Sequence, residues 1–146
     1  MADGKDASQE AAKAFVEATL KQSELLGSWS LAVFGACIVL VAWYVQRRLD
    51  HPDRADVKAL WLVFVCILLQ GISILLMYFA YGTMVNIIPE AQFAKTETAE
   101  QFRTFLANMG FNNARYLFVC QFWSFFAGIV LIGTFGLKNV HLVARG

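Results

Sequence analysis

Few side chains in this sequence could do chemistry from within a hydrophobic setting. They are His51 and His141, the cysteines Cys37, Cys66 and Cys120, and the amides Gln70 and Gln121. Two histidines on one side of a helical membrane protein could ligate a haem iron. Such sites want both rings turned into the helical interior. Here His51 stands in a polar turn beside Pro52, and His141 follows the last apolar stretch. Both are weak candidates for haem ligation, and solvated interfacial histidines are the simpler reading.

The cysteines fall one to each apolar stretch, with no Cys-x-x-Cys spacing, so neither a redox motif nor a zinc site is indicated. Counting helical rise puts Cys66 and Cys120 about 10 Å apart in depth, with Cys37 between them, too far for a disulfide across the outer pair. They are expected to act as small hydrophobes. The same count puts Gln70 about 16 Å from one face and Gln121 about 10 Å from the other, nearly one level in a core of about 30 Å. The two amides could bond to each other as glue between helices, or line a pore.

Other chemistries lack their residues. No Asp, Glu, Lys, Arg or His sits in the middle of an apolar stretch, which argues against ion-coupled transport by a single chain. No phosphate loop, nucleophile triad or paired carboxylates at depth is present, so no catalytic residue, cofactor or metal is expected and the chain does not read as an enzyme. A net charge of +1 without basic runs excludes a nucleic-acid partner. The polar first 25 residues are not a signal peptide, and Ala2 does not suit myristoylation.

The elements that carry these residues are set by hydrophobicity. Of the 146 residues, 58 % are hydrophobic, concentrated in stretches at about 27–46, 59–81 and 114–137. Each can cover a hydrocarbon core of about 30 Å as a helix. Trp29, Trp43 and Tyr44 bracket the first stretch, and Trp61 and Tyr81 the second, as interfacial aromatics do. The expected fold is all-α: an integral membrane three-helix bundle in a single domain, the first two spans forming an antiparallel hairpin.

Two amphipathic helices accompany the spans. One, at about 7–25, starts at Asp6 or Ser8 and carries Ala11, Ala12, Phe15, Val16 and Leu20 on one face. It either lies apart or runs into the first span, since only Gly27 interrupts. The other, at about 98–109, opens on a Thr98/Gln101 capping box and ends at Gly110. Pro52 and Asp53 suit the first turn of the second span, Pro89 should stop it at Ile88, and Asn112 and Asn113 should cap the third.

Small residues at four-residue spacing mark packing faces: Ser28, Ala32 and Ala36 in the first span, Ser124 and Gly128 in the third. They serve contacts within the chain or between chains. Arg47, Arg48, Arg54 and Lys58 crowd the first connection, and Lys138 and Arg145 follow the last span. Lys5, Lys13, Lys21, Lys95, Arg103 and Arg115 are spread over the other side. Density favours an outside N-terminus and a cytoplasmic C-terminus.

The function expected is that of a non-catalytic membrane subunit acting by assembly, with the lipid bilayer, other copies of itself or other membrane subunits as partners. The alternative is a homo-oligomeric pore conducting small solutes. Size and span number resemble three-span phage holins, although no holin motif is present and the link between the second and third spans is long for that class. A haem or thiol enzyme ranks third.

Overall fold

The computed structural model describes residues 3–50, 57–93, 99–108 and 110–140, and the described residues are helical almost throughout. In chain order the helices are α1 (Asp3–Asp50), α2 (Trp61–Phe93), α3 (Ala99–Asn108) and α4 (Phe111–Lys138). Three of them contain segments long and apolar enough to cross a membrane: Lys13–Asp50, Trp61–Met84 and Phe111–Lys138. The expected spans fall on these segments. His51, Pro52, Asp53, Thr98 and His141 lie outside the described residues.

Several boundaries differ from expectation. α1 begins at Asp3, not Asp6 or Ser8; of the two arrangements open for the N-terminal stretch it takes the continuous one, passing unbroken through Gly27 into the first span as one 48-residue helix. α2 continues past Pro89 to Phe93. A proline withholds a single N–H from the ladder, and a helix can carry that one gap. Residues 57–59 are not helical, so α2 does not reach back to Pro52 and Asp53. Gly110 ends α3 and starts α4. Its φ of 88° is left-handed, and its N–H donates to the Ala107 carbonyl at 3.1 Å. Only glycine enters that region without a Cβ penalty. Asn112 and Asn113 consequently lie inside the first turn of α4 and do not cap it.

α2 is central: it packs along α4 and along α1, antiparallel to both, whereas α1 and α4 meet only sparingly. The inward positions follow a seven-residue repeat. They are Val16, Ser23, Ser30 and Cys37 on α1, and Ala114, Gln121, Gly128 and Phe135 on α4. On α2 they alternate by three and four through Val63, Cys66, Gln70 and Ser73, and again at Ala80, Met84 and Ile87. A repeat averaging about 3.5 residues keeps a straight seam only if the helices wind left-handedly about each other.

Polarity is not sorted as it is in a protein in water. Ser23, Ser30, Gln70, Ser73 and Gln121 are buried, while Leu31, Val39, Phe64, Leu68, Phe79 and Trp123 face out. Hydrocarbon makes no demand for an apolar interior, but it makes every polar group seek a partner inside. This distribution fits a lipid solvent. At the end where α2 finishes, Leu106 of α3 joins Met84, Ile87 and Ala114 in a buried cluster.

Candidate functional site: a polar seam between the helices

The buried polar groups form rungs that tie the helices together at successive depths. In one rung Ser73 Oγ donates to the Gln121 carbonyl oxygen at 3.3 Å, and the Ser30 hydroxyl lies 2.9 Å from Ser73 Oγ. With the Ser73 proton committed to α4, Ser30 is the donor, and the chain of bonds runs α1 to α2 to α4. One heptad away the same arrangement recurs with sulfur. Cys37 Sγ donates to Cys66 Sγ at 3.6 Å, and Cys66 Sγ donates to the Gly128 carbonyl oxygen at 3.2 Å.

Gln70 and Gln121 are both fully buried. They do not bond to each other. Gln121 forms a reciprocal pair with α1: Ser23 Oγ donates to Gln121 Oε1 at 2.6 Å, and Gln121 Nε2 donates to the Ser23 carbonyl oxygen at 3.0 Å. Gln70 Nε2 donates to the Phe125 carbonyl oxygen at 3.3 Å, one turn deeper along α4. That turn, about 6 Å of helix rise, separates the amides. Gln70 Oε1 is buried and has no partner among the described residues.

Cys37 was expected at a depth between Cys66 and Cys120. Instead it stands level with Cys66, because the antiparallel pairing that sets Ser30 opposite Ser73 also sets Cys37 opposite Cys66. Cys120 is exposed on the outer surface of α4. Of the small residues, Gly128 is an interior contact: a Cβ there would collide with Gln70 Nε2 and lie 3.6 Å from Cys66 Sγ. Ser124 is partly buried, while Ser28, Ala32 and Ala36 all face outward from α1.

At the other end, Asn139 clamps the start of α2. Its Oδ1 accepts from the Lys58 N–H at 2.8 Å, and its Nδ2 donates to the Lys58 and Phe135 carbonyl oxygens, each at 2.9 Å. The preceding turn needs holding, because Ala59 adopts a left-handed φ of 58°.

Sequence reasoning overlooked Ser23, Ser30, Ser73 and Asn139, and with them the Cys37–Cys66 contact. The serines and cysteines carried a usable signal in their seven-residue spacing. Chemically the seam holds hydroxyls, thiols and amides bonded to one another or to helix carbonyls. Among the described residues no three His, Cys, Asp or Glu side chains gather as metal ligands. Compared with known proteins, the chain matches no family model, no curated protein and no solved structure.

Proposed function

We propose that the chain is a non-catalytic integral membrane subunit that acts by assembly, as a homo-oligomer or as an accessory subunit of a larger membrane complex. The observation that carries this reading is the outward face of α1. Ser28, Ala32, Gly35 and Ala36 are exposed there, away from the contacts that Ser23, Ser30 and Cys37 make inside the chain. A smooth face of this kind lets another helix backbone approach closely, where dispersion contacts and weak Cα–H bonds accumulate. The architecture that goes with it is a three-helix bundle flanked by amphipathic segments in the N-terminal part of α1 and in α3. Its N-terminus is outside and its C-terminus cytoplasmic.

A pore built from several copies draws less support. The amides of Gln70 and Gln121 are engaged inside one chain, which leaves the α1 face as its lining. Native mass spectrometry after mild detergent extraction from the source membrane tests the proposal. A single species at a multiple of 16.3 kDa marks a homo-oligomer, and other proteins in fixed ratio mark an accessory subunit. Ala32→Leu should disperse either assembly. A strict monomer in native lipid removes the reading.

A further inference from the structure

α1 and α4 run parallel and are joined by the Ser23–Gln121 pair. Beside that pair they leave a groove of about 340 Å³, whose described lining residues all belong to these two helices. Its walls are largely apolar, with Phe15, Leu26, Phe118 and Trp123 among them. The buried polar groups behind it, Ser23 and Gln121, satisfy each other, so the depth of the groove offers little to a polar ligand. It spans Phe111 to Trp123 along α4, about 18 Å of helix rise, of which the roughly 12 Å from Arg115 to Trp123 would cover most of one hydrocarbon leaflet.

The mouth is different. Among the described residues, Arg115 is the only charged one lining the groove. It is exposed and lies one turn inside the start of α4, about 6 Å along the axis; with this 28-residue helix of about 42 Å centred on a hydrocarbon core of about 30 Å, that is the level where headgroups would meet acyl chains. No carboxylate partners it among the described residues. Glu17 and Glu24 of α1 are not among the lining residues.

We infer that this groove is a binding site for an anionic phospholipid, with one acyl chain laid between α1 and α4 and the headgroup phosphate on Arg115. An acyl chain fits the aromatic walls, and an unpaired guanidinium fits a phosphate with bidentate geometry. Among the described residues the lining has a guanidinium and no carboxylate to receive a choline or ethanolamine cation, which favours net-negative headgroups. Gln22, also at the groove, offers a further donor. This site is independent of the assembly proposed above.

The test is native mass spectrometry of the full chain in mild detergent, titrated with phosphatidylglycerol and, separately, phosphatidylcholine. Phosphatidylglycerol should bind the more tightly. Arg115→Gln should weaken it about fivefold, the worth of roughly one ionic contact at a membrane surface, and bring it to the phosphatidylcholine level. Arg115→Lys should retain most of the preference. Val119→Trp, which fills the groove from its wall, should lower binding of both lipids, with circular dichroism checking that helicity is kept. Equal affinity for the two lipids overturns the inference. So does unchanged phosphatidylglycerol binding in Arg115→Gln, or in a folded Val119→Trp variant.

Discussion

Ser73 and Cys66 stand one heptad apart on α2 and hold the same post: each accepts a hydrogen bond from α1 and donates one to a carbonyl of α4. A third step along the repeat reaches Ala80, which has no donor, opposite Ser23 and Ala114. There Ser23 turns instead to the Gln121 side chain. The seam is thus one motif written with different atoms, and its rungs should differ in strength as hydroxyl, thiol and amide do.

Ser73→Ala removes the central member of the hydroxyl rung. In membrane proteins such interhelical bonds are worth about 0.6 kcal/mol on average and up to about 2. Reversible unfolding in mixed detergent should show a loss in that range. A double-mutant cycle with Ser30→Ala should give a coupling energy of the same sign, and additive losses would mean the rung is not formed.

Gly128→Ala should be destabilising at the low end of overpacking, because the new Cβ meets the end of the Gln70 side chain, which can swing aside only by giving up its bond to the Phe125 carbonyl. Overpacking of this kind costs about 1–3 kcal/mol. Combining it with Gln70→Ala should recover much of the loss in the same unfolding assay. Equal damage with and without Gln70 would place the strain elsewhere.

Gln70→Met should be close to neutral, or stabilising. It removes a buried oxygen that has no partner among the described residues, at the expense of one long bond to the Phe125 carbonyl. Deleting an unsatisfied polar atom offsets the loss of a weak hydrogen bond. A fall in stability of more than about 2 kcal/mol, the upper range for such bonds, would show that Oε1 is engaged by something further.

Cys37 and Cys66 should oxidise to an intramolecular disulfide when the protein is treated with a membrane-permeant oxidant, given a separation of 3.6 Å between their sulfurs. Alkylation after denaturation, read by intact mass, should then fall from three labelled thiols to one, on Cys120. Cys37→Ser should abolish the effect. Three labels after exhaustive oxidation would contradict the pairing.

Asn139→Ala should release the start of α2. Three hydrogen bonds are lost, and a partly buried N–H and carbonyl at Lys58 are left open. Unsatisfied groups of this kind cost about 1–3 kcal/mol. Hydrogen exchange should report lost protection at the Lys58 amide. Asn139→Asp keeps an acceptor for that amide and should be intermediate.

Hydropathy alone located the membrane-length helices, since a run of apolar residues at the right length admits little else. It could not say which face of each turns inward, because in lipid an exposed Leu and a buried one are equally content. The informative residues were the small and polar ones. Two patterns competed on α1: Ser28, Ala32 and Ala36 at spacing four, and Ser23, Ser30 and Cys37 at spacing seven. The second lies inside, since hydroxyls and thiols gain partners there and alanine gains little. That Gln70 and Gln121 were candidates for helix contacts was legible for the same reason. Their partners were not, because helix offset decides which rung faces which. Asn139 lies at a helix end, where hydropathy is uninformative and only the backbone of Lys58 gives the amide its purpose.

α1 has a mechanical consequence. Its 48 residues make a rod of about 72 Å, more than twice the thickness of a hydrocarbon core. No break relieves it, so any tilt of the span is carried outward without loss. At an ordinary tilt of about 20°, the roughly 36 Å of helix from Asp3 to Leu26, ahead of the first span, sweeps its tip sideways by about 12 Å. A slight lean within the bilayer therefore becomes a large excursion near Asp3, and the helix serves as a lever with its fulcrum in the membrane.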